Sequence, residues 1–223
     1  MAGNNIFENF PIIGKAYAYL FNKSSTAEEL TLVRMFEKYP LAHKAFQEQE
    51  NLVGFLGGSM PKEYGDLMLN YANAAEQHIQ AEHDDKEAII VGCILFNASP
   101  FTFDDIRRFE EEYSPQVKTV VDYILDGDDK LVEQNPFIAQ TIGIVSLVTQ
   151  YDLQKKLDAG EPADEYAEIQ SKEDALPSTL FVHVKKHDAK LYDLLDQAAE
   201  KLVQTIKAAS NNNGAAPQQQ PKI

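Results

Sequence analysis

The chain has a single cysteine, Cys93, and no tryptophan in 223 residues. An internal disulfide is therefore excluded, and a lone thiol inside an apolar run reads as a buried, inert side chain. One cysteine also fits a reducing compartment. Positive charge is scarce: 20 Lys and Arg stand against 35 Asp and Glu, a formal net charge of −15. Such a surface repels phosphate backbones and anionic headgroups, so nucleic-acid or membrane binding by charge is not expected. Long hydrophobic runs are missing as well. Near the N-terminus Phe10, Ile12, Ile13, Tyr17 and Leu20 are interrupted by Pro11, Gly14 and Lys15, with no basic region before them. That stretch reads as neither a signal peptide nor a spanning helix, and the expectation is a cytoplasmic protein without a membrane span. A phosphate loop is absent too, because Gly54, Gly57 and Gly58 lead into Ser59 and Pro61 with no lysine-serine or lysine-threonine step. A helix end followed by a turn accounts for these glycines. Neither a nucleophile elbow nor an activated thiol is visible.

What the chain does contain is helix signals. Hydrophobic content of 44% and charged content of 25% are those of a globular protein, and the length suits one domain with a real core. Ser25 with Glu28, Asp84 with Glu87, and Thr102 with Asp105 have the spacing of reciprocal N-terminal caps, and Phe101 with Ile106 that of a hydrophobic staple. Ser114 before Pro115 places proline in a first turn. Val117, Val120, Val121, Ile124 and Leu125 form an apolar stripe at helical spacing. So do Ile138, Ile142, Val145, Val148 and Tyr151, and again Leu191, Leu194, Leu195, Ala198, Leu202 and Ile206, the last with Asp188 as cap.

The run Ile89 to Phe96 has the pattern of a buried strand as well as of a helix. Its capped start and helical neighbours favour a central buried helix. Leu180 to Val184 alternates weakly, the pattern of an extended segment, in an otherwise strand-poor chain. Connections fall at Asn22 to Thr26, at Asp126 to Asp129 and at Asp158 to Asp164. The expectation is an all-α chain with a single multi-helix domain: an N-terminal arm or first helix over 1–24, a helical domain over 25–209, and a disordered polar tail over 210–223.

Two histidine clusters are candidates for metal. His183, His187 and Asp188 include an i, i+4 pair on one helix face, though Lys185 and Lys186 lie between and no further ligand accompanies them. His78, His83, Asp84 and Asp85 are the second cluster, with the two histidines five residues apart and off one face. Solvated surface is the simpler account of both, and of the paired carboxylates Asp104, Asp105 and Glu110 to Glu112.

The stretch from Glu87 to Leu125, which runs Glu-Ala-Ile-Ile-Val-Gly-Cys-Ile-Leu-Phe-Asn and on through Thr102, Ile106, Tyr113 and the valine stripe, resembles the hydrolase domain of the RelA/SpoT family. That family has an all-helical HD-type fold, which removes pyrophosphate from guanosine alarmones with a Mn²⁺-type metal. Ile94 and Leu95 match the apolar pair that precedes its defining His-Asp, and Ile144 to Leu153 resembles the helix carrying its last metal-binding aspartate. The departures fall on the ligands. Phe96 and Asn97 stand at the His-Asp pair, Thr149 at the later aspartate, and Ala98-Ser-Pro-Phe101 replaces the acidic loop. His78 is too close to Phe96 to be the early histidine. Phenylalanine has no lone pair, and neutral amide and hydroxyl groups bind a hard cation weakly.

The resemblance thus implies an HD-domain-like module with Phe96, Asn97 and Thr149 around a vestigial pocket, no catalytic residue and no cofactor. Its function is protein binding, ligand binding or assembly, and residues 6–21 are an arm for a protein partner or a homo-oligomer. The alternative is a metal-dependent phosphohydrolase acting on a (p)ppGpp-like nucleotide. It would draw on His78, His83, Asp84 and Asp152, or on His183, His187 and Asp188.

Overall fold

The computed structural model describes residues 29–55, 62–96, 114–126, 129–162, 166, 168–176 and 178–213. The arm over 6–21, the Ser25 and Thr102 caps, the Phe101–Ile106 staple, Asn97 and the tail beyond Asn213 lie outside them. The described residues form one all-helical domain about a shared apolar core. In order, the helices are α1 Glu29–Lys38, α2 Pro40–Phe55, α3 Lys62–His78, α4 His83–Phe96 and α5 Pro115–Asp126. There follow α6 Asp129–Gln134, α7 Pro136–Asp158, α8 Lys172–Ala175, α9 Ser178–His187 and α10 Ala189–Asn213.

The run that could have been a strand is helix α4. Its residues Glu87 through Leu95 are all buried. A helix apolar on every side must be covered on every side, and α2, α3, α5 and α7 provide the cover. Each fully buried Ile, Leu or Val there stabilises the fold by about 1.5–3 kcal/mol. Gly92 lets the neighbours close in: a Cβ at this position would stand 2.7 Å from Val120 Cγ1 and 2.9 Å from Thr141 Oγ1. Cys93 is buried beside it, with Sγ 3.8 Å from the Thr141 carbonyl oxygen, and burial pushes its thiol pKa up. It is the inert thiol its context predicts.

The start of α4 departs from the expected cap. Lys86 N–H donates to the Glu82 carbonyl at 3.0 Å, and Asp84 Oδ1 instead lies 3.2 Å from His83 Nδ1. Glu87 reaches out of its own helix and accepts the Leu41 N–H at 2.7 Å. The reason is competition between two helix N-termini. The first N–H groups of α2 lack acceptors inside that helix, and Pro40 supplies no donor, so a carboxylate from α4 is drawn to them. Burial raises the Glu87 carboxyl pKa, and the N–H groups of Leu41 and Ala42 oppose the rise.

Helix α7 runs along the core against α3, α4, α5, α6, α9 and α10. Asn135 caps it, accepting the Phe137 N–H at 2.9 Å ahead of Pro136. At its far end Gly160 has φ +94°, with Gly160 N–H on Leu157 O at 3.0 Å and Glu161 N–H on Lys156 O at 3.1 Å. This left-handed cap ends the helix at the expected loop. The α5 stripe is buried at Val117, Val120 and Val121, and Ser114 Oγ accepts the Val117 N–H at 3.3 Å. Asp188 caps α10 as expected, accepting the Leu191 N–H at 3.0 Å.

Two expectations are corrected. Leu180 to Val184 is helical within α9: Phe181 and Val184, three residues apart, are both buried, while Val182 is 57% exposed. And α10 continues to Asn213, past the expected boundary at Ser210, because extending a formed helix adds one bond for each residue fixed.

Candidate functional site

Helices α3 and α7 pack side by side, and a groove of about 260 Å³ opens between them. Its floor is Ala74 and Val148, 7% and 4% exposed. On the α3 wall stand Asn70, Asn73 and Gln77, at i, i+3 and i+7, one face of the helix. On the α7 wall Tyr151, Asp152 and Lys155 follow Val148 at i+3, i+4 and i+7. His78, the last residue of α3, completes the lining. An apolar floor between two polar rows follows directly from two amphipathic helices whose stripes meet at their edges.

The polar groups of this groove are largely uncommitted. Asp152 pairs with Lys156 at 3.0 Å, and the Asp152 carboxylate raises the Lys156 pKa. The side chains of Asn70, Asn73, Gln77, His78, Tyr151 and Lys155 make no hydrogen bond among the described residues. Each carboxamide carries an acceptor oxygen and two N–H donors, so the α3 wall presents alternating donors and acceptors without net charge. Tyr151, 48% exposed, adds a ring beside them. The volume lies below the roughly 300 Å³ at which pockets for drug-sized ligands begin, so the groove suits a small or an elongated occupant.

A second polar cluster joins α1, α3 and α4. Glu76 accepts from Lys38 Nζ and Tyr39 Oη, with Lys86 Nζ at 3.6 Å. Burial works to raise the Glu76 carboxyl, but those bonds and charges outweigh it and hold the pKa below the usual carboxylate range. The His83 ring stacks on Tyr39 at 5.1 Å and donates through Nε2 to the Lys38 carbonyl at 2.8 Å. The bond to Asp84 raises the His83 pKa. These groups satisfy one another, and the cluster fastens three helices.

Comparison with protein-family models, with curated proteins and with solved structures finds no match. What the chain can do has to be read from its own residues.

The residues singled out in the sequence fall as follows. Phe96 ends α4, 36% exposed, its ring tilted against Tyr123 at 6.3 Å. Asn97 lies outside the described residues. Thr149 is exposed on α7, and its hydroxyl donates to the Val145 carbonyl at 2.8 Å. A phenyl ring and a hydroxyl bonded into its own helix do not fit a Mn²⁺ ion. His187 donates through Nε2 to the Glu133 carbonyl at 2.9 Å, and Asp188, besides capping α10, accepts from Gln140 Nε2 at 3.1 Å. His183 is half-buried on α9, so this cluster occupies the end of one helix and the cap of the next. Among the described residues, no group of three or more His, Cys, Asp or Glu is placed to hold a metal ion. Nor is any helix among them long and apolar enough to cross a membrane.

Of the second histidine cluster, only His78 reaches the groove, whose lining also includes Asp152 of α7. The carboxamides at 70, 73 and 77 were overlooked in the sequence. Their helical spacing beside Ala74 is the signal that marks them, yet uncharged amides on a helix face read as ordinary surface.

Proposed function

We propose that this chain is a non-catalytic, HD-like helical module that binds a partner through the groove between α3 and α7. The observation that carries the reading is the groove's lining: six polar side chains with no hydrogen-bond partner among the described residues, set around an apolar floor. Unengaged donors and acceptors over apolar surface are what a recognition site offers, since a ligand replaces their water without breaking internal bonds. The donor set at Phe96 and Thr149 supports the non-catalytic half of the proposal.

A selection with a phage-displayed library of random linear peptides tests it, with Asn73→Arg/Tyr151→Arg protein as the counter-target. Enrichment on the native chain and its loss on the variant is the expected result. Binders that enrich equally on both, or no enrichment at all, overturn the proposal.

The one observation favouring the phosphohydrolase alternative is that His78 and Asp152 line the same groove. Incubation with guanosine tetraphosphate and Mn²⁺ decides between the two. The expected outcome is no release of pyrophosphate, and turnover that is lost in His78→Ala and Asp152→Asn would establish the enzyme instead.

A further inference from the structure

We infer that the groove takes a short extended peptide segment and reads its main chain, with the carboxamides of Asn70, Asn73 and Gln77 pairing to the N–H and C=O groups that the segment turns to the α3 wall. The inference rests on the binding-module reading and names the occupant of that site. Three observations point to it.

The first is chemical. A carboxamide holds an acceptor oxygen and a syn N–H donor on one edge, which matches the N–H and C=O that a single residue of an extended chain turns to one side. The row on α3 contains three of them and no charged group, in a chain of net charge −15. A phosphate or carboxylate ligand would find an acidic molecule around an uncharged row, whereas a neutral main chain meets neither attraction nor repulsion. The second is dimensional. From residue 70 to residue 77 the helix rises about 10 Å, the length of about three residues of extended chain. A groove of about 260 Å³ accommodates a segment of that size. The third is the rest of the cross-section. Ala74 and Val148 form an apolar floor for one side chain of the segment, and the exposed Tyr151 ring lines the α7 wall. Main-chain pairing supplies affinity for any sequence, and the floor selects among small apolar side chains, the division of labour seen wherever extended peptides are bound.

Side-chain amide resonances of the full-length ¹⁵N-labelled protein provide the test, with acetyl-Ala-Ala-Ala-amide as the probe. The expected result is saturable shifts at Asn70, Asn73 and Gln77 with a dissociation constant in the millimolar range. N-methylation of the three alanine nitrogens, which removes the peptide donors and keeps the methyl groups, should weaken binding at least tenfold. Asn73→Ala, a solvent-exposed substitution, should weaken it about fivefold, the loss of one hydrogen-bonded pair. Equal binding of the N-methylated peptide overturns main-chain reading while leaving a binding groove in place. So do groove shifts produced by adenosine, whose base edge also pairs with carboxamides, in the absence of shifts from the tripeptide. If neither probe shifts these resonances, main-chain reading is overturned, and an empty library selection overturns the binding-module reading as well.

Discussion

Glu50 is 6% exposed, and its Oε1 has no hydrogen-bond partner among the described residues. A buried polar atom left unpaired costs about 1–3 kcal/mol, more when the group is charged, and burial raises the Glu50 pKa. The folded acid therefore keeps its proton to higher pH than the unfolded one. Between the two midpoints the folded state binds more protons, so stability falls as pH rises through that window. Glu50→Gln removes the titration. The variant should be more stable than the native chain at pH 7 by about 1–2 kcal/mol, with the difference closing below the unfolded carboxyl value, about pH 4. Urea melts at the two pH values measure this, and a gap that stays the same between them refutes the account. Nothing in the sequence distinguishes Glu50 from its neighbour Glu48, because burial of one carboxylate among 35 acidic residues is decided by which helix lies across it. The same holds for Glu87. Its place three residues after Asp84 makes it a natural partner in a cap for its own helix, and only the arrival of α2 shows that it serves another.

At the scale of the element, what was legible is what depends on neighbours along the chain. The Asp188 cap, the first-turn proline after Ser114 and the stripes of α5 and α10 appear where their spacing places them, whereas the α7 stripe holds through Val148 and fails at Tyr151, which is 48% exposed. For α4 the sequence left strand and helix both open, and the capped start that decided for helix turned out to be differently built. Segment 180–184 misled because Phe181 and Val184 are the fully buried side chains among the described ones of α9, with Leu180 only partly buried, and so short a buried face carries too little periodicity to declare itself. Of the groove, only the α7 wall was legible as part of a helix; the α3 wall was not, nor that the two helices meet. Close helix packing gives the test at this scale. Gly92→Ala adds a methyl group within 3 Å of Val120 and Thr141, whose branched side chains are stiff. Overpacking costs about 1–3 kcal/mol, and the gain in helix propensity offsets up to about 1 kcal/mol of it. A net destabilisation of about 1–2 kcal/mol is expected by chemical denaturation. An alanine variant as stable as the native chain would mean that α5 and α7 do not approach α4 so closely.

The whole molecule sets a shared apolar core against an unbalanced surface. Its 35 acidic and 20 basic side chains leave an excess of 15 negative charges, and the ion pairs on the described surface, such as Lys118–Asp122 at 3.7 Å and Lys172–Asp196 at 2.6 Å, engage only part of the acid. Two electrostatic effects then oppose each other when salt is added. Screening weakens exposed ion pairs, worth about 0–1 kcal/mol each. It also weakens the repulsion among the unpaired carboxylates, which acts over the whole molecule and favours the expanded chain. The Debye length falls to about 10 Å at 0.1 M salt, short compared with the molecule but long compared with an ion pair, so the long-range repulsion is screened more completely than the contacts. The melting temperature should therefore rise by a few degrees between 20 and 200 mM KCl at pH 7, since about 1 kcal/mol corresponds to about 2–4 °C in a domain of this size. The rise should shrink as the pH approaches the sequence isoelectric point of 4.7, where the repulsion itself disappears. A melting temperature that falls with salt at pH 7 would show that the pairs, and not the excess, dominate the surface.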